Sequence, residues 1–295
     1  MYKYRKSLID RLFDFINYTL LVFMCLIFIY PFWDTLVLSF SKPEFARQLG
    51  LRLFPKGQIT LGSYGEIFKS NTIYISYYNT LFRVTIATVL NVLVTFCGAY
   101  TLSKRNLPFV KLLTIFVLIT LFFNGGMIPN YLLVKSLGLM DSRWALILPI
   151  LTSGWSVFLA RNFIAALPDA LEESAFIDGA HPLSVVFKIV MPISMPIIAV
   201  LSLWAAVQHW NEWFLAMIYT RSSKKMVLQL LLRRILIEAS PEAIENESLI
   251  SMTTNTTPES VKAATIIVAT VPILCFYPFL QKYFVKGVMV GSIKG

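Results

Sequence analysis

Chemistry by side chains needs particular groups within reach of one another, and this sequence supplies few. One stretch, 167–192, holds four of its 16 acids, Asp169, Glu172, Glu173 and Asp178. Glu172 and Glu173 are neighbours and diverge on a helix, so they are not the converging pair that general acid–base catalysis uses. The two histidines are His181 and His209, too few for a paired metal or acid–base centre. Cys25, Cys97 and Cys275 form no CxxC pair. Each lies in a long uncharged run, where a thiol serves as a small buried hydrophobe. No G-x-x-x-x-G-K-[ST] loop occurs, so the chain does not hydrolyse ATP by a P-loop mechanism. These absences assign no catalytic residue, no metal site and no cofactor to this chain.

The elements that must carry the remaining groups follow from composition. Of 295 residues, 57% are hydrophobic and 14% charged, with a mean hydropathy of +0.68. A soluble domain carries about a quarter charged residues, so this is a membrane protein. The net charge of +10 does not indicate nucleic acid, because the basic residues flank uncharged runs rather than forming a stripe on a soluble domain.

Six stretches lack Asp, Glu, Lys, Arg and His over 17 to 23 residues: Phe15–Trp33, Val84–Ser103, Leu112–Val134, Trp144–Ala160, Ile189–Gln208 and Ala263–Gln281. Each nearly matches the roughly 20 helical residues that cross a bilayer core, and lipid leaves helices as the way to satisfy their backbone. The expected fold is all-α, polytopic, with six transmembrane helices. In the third run Asn124-Gly125-Gly126 and Pro129 break the helix, giving a span to about Phe123 and then irregular or re-entrant backbone to Leu139. The fifth span starts after Pro192 and continues past His209 towards Tyr219.

Six spans place both termini on one side. The two sets of loops hold 12 and 13 Lys/Arg, so the overall count decides nothing. Short loops and the first helix weigh most, and Lys3, Arg5, Lys6 and Arg11 with Lys104 and Arg105 favour cytoplasmic termini. Arg83 and Asp34 then fall near outer ends of spans, where Arg83 either snorkels or serves the transport path.

The loop 167–192 differs from the others. Asp169 with Glu172 three residues on has the capping-box spacing, Gly179 suits a left-handed exit, and Pro182 suits the first turn of a second helix, ended by Met191-Pro192. The product is a compact knob whose apolar residues Ala175, Phe176 and Phe187 need a partner's groove.

Glu173-Ser174-Ala175, Asp178-Gly179-Ala180, Phe187, Ile189, Met191 and Pro192 resemble the EAA loop of ABC importer permeases, with Ser174 and Met191 as departures. Leu53-Phe54-Pro55-Lys56-Gly57, Asn79-Thr80-Leu81, Ala99-Tyr100-Thr101-Leu102, Ile128-Pro129 with Tyr131, Trp210-Asn211-Glu212-Trp213 and the tail from Gln281 to Gly295 are similar to the carbohydrate-uptake, MalG-type branch, nearest to the LplC/YtcP-like oligosaccharide and polysaccharide permeases.

The resemblance implies a type I ABC importer permease fold with short cytoplasmic coupling helices between spans four and five. It also implies a second homologous permease subunit making a heterodimer, two ATPase subunits that bind ATP and Mg, and an extracytoplasmic solute-binding protein that delivers sugar. The chain would span the bacterial cytoplasmic (inner) membrane. Residues 1–70 would hold the N-terminus, first span and outer loop, 71–282 the five-span core with the outer loop 221–262, and 283–295 a cytoplasmic tail. Glu173, with Ser174, Ala175, Asp178, Gly179, Ala180, Phe187 and Pro192, would dock the ATPase, and Lys294 and Gly295 in the tail would touch it.

Inside the spans, His209, Trp210, Asn211, Glu212 and Trp213 suit a sugar's flat face and hydroxyl rim, or equally an aromatic belt at the interface; Arg83 joins them as a path candidate. The basic residues on the outer face suit acidic oligosaccharides such as alginate- or pectin-type uronides, and lipid headgroups account for them as well. The other readings are an ion-coupled secondary transporter, for which inverted repeats and mid-span carboxylates are wanting, and an ABC permease for a non-sugar solute.

Overall fold

The computed structural model describes residues 7–46, 50–55, 59–104, 106–238 and 256–292, the last stretch with side chains to Cys275. Lys294 and Gly295 lie outside the described residues. Among the described residues the structure is helical and without strands: α1 (Leu8–Ser39), α2 (Pro43–Ala46), α3 (Gly62–Lys69), α4 (Asn71–Ser103), α5 (Val110–Phe122), α6 (Met127–Ser136), two 3₁₀ turns over Arg143–Ile150, α7 (Gly154–Ala165), α8 (Ala170–Ile177), α9 (Pro182–Ile193), α10 (Met195–Asn211), α11 (Phe214–Tyr219), α12 (Leu228–Arg233) and α13 (Pro258–Ser292).

The chain divides into two compact units. The first holds α1 to α3 and the start of α13. Ser7 caps α1 in a full capping box with Asp10, and Pro31 lies within the helix. Beyond α1 the chain is tied back by Trp33, whose Nε1 donates to Leu53 O at 2.8 Å, and by the Arg52–Asp34 ion pair at 3.2 Å. Ser63 Oγ donates to Ser260 Oγ at 2.9 Å, joining α3 to α13.

The second unit runs from α4 to α12, with the part of α13 from Thr270 on, and is built around α4, which packs along α7 and α10. α1, α4 and α13 are each long and apolar enough to cross a membrane unbroken. The other three spans are bent pairs: α5 with α6 at 120°, Arg143–Ile150 with α7 at 55°, and α9 with α10 at 84°. Six apolar runs therefore become three straight helices and three broken ones.

The breaks correct several expectations. After Asn124–Gly126 the backbone is not irregular to Leu139: Gly126, at φ +89, turns the chain and α6 forms at once, its 120° bend from α5 being that of a broken span or a re-entrant loop. Trp144–Ala160 is not one helix, because Pro149 has no N–H to offer the carbonyl of Ala145 or Leu146, and the first half tightens into 3₁₀ turns. Met191-Pro192 does not end α9; the bend falls at Ser194. The fifth span stops at Asn211, and Glu212-Trp213 separate it from α11. Cys25 and Cys275 are exposed rather than buried.

α5 meets α7 at Gly154. A methyl there would lie 2.9 Å from Thr120 Oγ1 and 3.0 Å from the carbonyl oxygen of Val117. Close approach through a small residue is how membrane helices gain packing. Gly154→Ala is expected to destabilise by about 1–3 kcal/mol through overpacking. Gly98→Ala, on α4 with nothing within 4 Å, should gain up to about 1 kcal/mol of helix propensity. Melting temperatures of the two purified variants moving in the same direction would contradict this packing.

Candidate functional site

The loop 167–192 folds as a knob with a buried and an exposed side. α8 ends in a Schellman motif: Gly179 N donates to Phe176 O at 3.0 Å and Ala180 N to Ala175 O at 2.9 Å, with Gly179 at φ +78. His181 then caps α9, its Nδ1 accepting from Leu183 N at 3.3 Å, and Pro182 follows in the first turn. The middle of α9, Val185–Val190, widens to the π pattern, and Val185, Val186 and Val190 pack into the core formed with Phe96, Ala99 and Leu102 of α4.

Two expectations for the knob are corrected here. Ala175 is not an exposed contact: it is 7% exposed and belongs to that core. Asp169 stands at the N-cap position but makes no side-chain cap, because its own backbone is already helical at φ −60 and ψ −31. Glu172 is buried, its Oε1 2.5 Å from Lys104 Nζ and its Oε2 accepting from Tyr100 OH at 2.8 Å. Glu173, Ser174, Asp178, Gly179, Phe187 and Pro192 remain exposed, with Phe176, Ile177 and Leu183 beside them. Ala180 is half-buried.

The second candidate region surrounds Arg83. Arg83 does not snorkel. It is 2% exposed, its Nε donating to Leu146 O at 3.2 Å and its Nη1 to Glu212 O at 2.8 Å. Both acceptors sit at helix breaks, where the regular i→i−4 pattern fails and carbonyls need an outside donor.

Arg83 is one rung of a ladder. Asn79, Arg83, Ala87, Asn91, Thr95 and Ala99 recur every four residues on one buried face of α4. Asn79 Nδ2 donates to Lys224 O and Met226 O, each at 2.9 Å, and its Oδ1 accepts from Arg143 Nε at 3.0 Å. Asn91 donates to Leu151 O, and Thr95 shares a 2.7 Å hydroxyl contact with Thr152. Thr80 Oγ1 accepts from Leu228 N at 2.9 Å, at the start of α12. Except for Arg83, none of these rungs was a candidate from sequence; their four-residue spacing within an apolar run was the signal available.

The remaining path candidates separate. His209 is 1% exposed, and among the described residues neither of its ring nitrogens has a hydrogen-bond partner. Trp210 is buried, its Nε1 likewise unpartnered. Asn211 is exposed and bonds back to Val207 O at 3.0 Å. Glu212 Oε1 accepts from Leu215 N at 2.9 Å, capping α11. Trp213 carries the Arg233 guanidinium 4.0 Å from its ring centroid.

Next to the ladder, Asp141 fixes the turn before the 3₁₀ segment. Its carboxylate takes Lys225 Nζ at 2.9 Å and the N–H groups of Arg221 and Ser222. Those donors, Lys225 foremost, hold its pKa down to about 2. The unfolded value is about 3.9, so the pairing stabilises fully above about pH 4 and is lost as pH falls through about 2. Asp141→Asn, which tolerates the residue's φ of +53, should therefore melt below the parent at pH 7. That gap should narrow as scans move from about pH 5 to pH 3; a gap that stays constant would contradict the assignment.

No family model matches the chain. It is 40% identical over 287 residues to the polygalacturonan/rhamnogalacturonan transport system permease protein YtcP of Bacillus subtilis, covering 97% of this chain and 99% of that one. Protein LplC of the same organism is 39% identical, covering 97% and 96%. A chain in the crystal structure of a bacterial ABC transporter involved in the import of the acidic polysaccharide alginate superposes with a TM-score of 0.87 at 28% identity, covering 95% of this chain and 99% of that chain. With that likeness sustained along almost the whole length, and a fold to match, this chain belongs to the sugar-transporting permease subunits of ABC importers, membrane proteins that are not themselves enzymes.

Proposed function

We infer that this chain forms half of the path for an acidic oligosaccharide, a uronide of pectin or alginate type. The observation that supports the substrate class is the pair of polyanions in the relatives' names, polygalacturonan/rhamnogalacturonan and alginate. The basic residues Lys135, Arg143, Arg221, Lys224, Lys225, Arg233 and Arg234 on the side assigned as outer are in keeping with it. Arg83, His209, Trp210, Glu212 and Trp213 are the path candidates, with Asn211 at their edge.

A second, homologous permease completes the path, an extracytoplasmic binding protein delivers the sugar, and two ATPase subunits carry ATP and Mg. The termini are cytoplasmic and the membrane is the bacterial inner membrane. Residues 71–282 form the core, 1–70 an accessory span with its outer loop, and 283–295 a tail that reaches the ATPase through Lys294 and Gly295. The exposed rim of the knob, led by Glu173, is where the ATPase docks.

The test is uptake by the native host with and without this gene. Radiolabelled trigalacturonate should enter only when the gene is present, with maltotriose entry unchanged, and uptake should survive collapse of the proton gradient while ATP is maintained. Equal trigalacturonate entry in both strains sinks the substrate class. Loss of uptake with the proton gradient, ATP intact, would favour the ion-coupled reading.

A further inference from the structure

Two adjacent glutamates on α8 have opposite surroundings. Glu173 points to solvent, whereas Glu172 is 9% exposed and closed in by Tyr100 of α4 and by Lys104 just past its end. Lys104 Nζ lies 2.5 Å from one of its carboxylate oxygens and Tyr100 OH donates to the other at 2.8 Å. Lys104 also stands 4.8 Å over the Tyr100 ring, and Arg161 at the end of α7 donates to Leu102 O at 2.9 Å. The inner end of α4 is thus bound to the knob by a charge-assisted, doubly hydrogen-bonded carboxylate, the stronger and more directional kind of contact. The rest of the interface is apolar packing of Ala175, Val185 and Val190 against Phe96 and Ala99, which is non-directional and allows sliding.

Towards its other end the same helix holds, through Asn79, Arg83 and Asn91, the carbonyls of Met226 ahead of α12, Glu212 just past α10 and Leu151 at the break before α7. One rigid element therefore connects the knob to the outer half of the second unit.

We propose that Glu172 is a positioning residue that latches the coupling knob to α4, so that displacement of the knob moves α4 as a lever and, through its ladder, the helix breaks along the path. Glu173 takes hold of the ATPase and Glu172 passes the motion on. The proposal rests on the reading of the knob as the ATPase dock.

It predicts uncoupling rather than dissociation. Removing the latch leaves the ATPase bound and hydrolysing while α4 no longer follows it. The test uses the whole importer, purified from its host through a tag on this chain and reconstituted in liposomes. Hydrogen–deuterium exchange of the peptide spanning 97–104 is followed with and without ATP–vanadate, a readout that needs no sugar. Trigalacturonate transported per ATP hydrolysed is measured alongside.

In the parent, trapping with vanadate should change exchange of that peptide. In Glu172→Gln and Lys104→Gln the change should vanish, with transport per ATP lowered about tenfold, within the range usual for coupling between sites. Lys104→Arg, which keeps the charge, should behave as the parent. A purely structural role would lower yield and melting temperature without separating Gln from Arg at position 104. A vanadate response that persists in Glu172→Gln, or in Lys104→Gln should the first variant not assemble, overturns the proposal, as does loss of the ATPase from either. Glu173→Lys is run beside them: if it retains the ATPase, the docking reading fails, and the vanadate response still decides the latch separately.

Discussion

Arg83→Met is expected to lower the melting temperature of the purified protein by several degrees, and Arg83→Lys to lower it further. Methionine removes two donors and leaves Leu146 O and Glu212 O unpartnered. Each orphaned acceptor costs about 1–3 kcal/mol, and more where lipid replaces water. Against this stands the guanidinium's own insertion penalty, about 2.5–3.5 kcal/mol at a helix centre, which methionine relieves. Two acceptors together cost about 2–6 kcal/mol and, in dry surroundings that favour the upper part of that range, outweigh the one relieved charge by up to about 3 kcal/mol, at about 2–4 °C per kcal/mol for a chain of this order. Lysine keeps the charge penalty but loses the planar fork that reaches two carbonyls from one residue, so it should be the worse replacement. Were Arg83 a snorkelling surface residue, lysine would be neutral, and a melting curve for Arg83→Lys matching the parent would establish that.

The largest functional loss should follow Glu173→Lys. The side chain is exposed on α8 and its reversal leaves the Schellman exit and the Glu172 latch intact, so folding should be unaffected. A charged contact truncated or reversed in a protein interface typically costs 2–5 kcal/mol. Sugar uptake should therefore fall about 100-fold, each 1.4 kcal/mol being a factor of ten, and the ATPase should no longer accompany the tagged chain through purification. Ser174→Ala, at an exposed neighbouring position, should change uptake less than about twofold, in keeping with surface substitutions generally. Full uptake with Glu173→Lys would remove Glu173 from the docking contact.

The straight spans α1, α4 and α13 were legible because a long uncharged run has one low-energy solution in lipid. The break at Asn124-Gly125-Gly126 was legible for a local reason too, since these residues are poor helix formers wherever they stand. The 3₁₀ segment was not, because Trp144–Ala160 has the composition of an ordinary span and its shape depends on Pro149 together with donors from α4. Arg83 stayed between two readings for the same reason. Its acceptors are 63 and 129 residues away, and from its own helix alone an arginine in an apolar run reads as a snorkeller.

Glu172 shows how a correct local pattern can mislead. The capping-box spacing from Asp169 is present, but Lys104, 68 residues earlier, offers a full charge in a buried setting and outcompetes a backbone N–H that water can reach. Asn91 and Thr95 escaped notice, and Asn79 entered only within a family-like triplet, because a search for charges passes over uncharged donors. In a membrane they matter as much as the charges, being the donors that broken helices must find.

The ladder on α4 also sets an order of events at the ribosome. Synthesis runs at about 5–20 residues per second, so Leu146 follows Arg83 by roughly 3–13 s and Glu212 by roughly 6–26 s. For that interval the guanidinium belongs to a nascent helix whose acceptors have not been translated. The two hydrogen bonds that fix Arg83 in α4 are therefore complete only once α10 has emerged. The helix that organises the finished unit is thus among the first made and one of the last to settle.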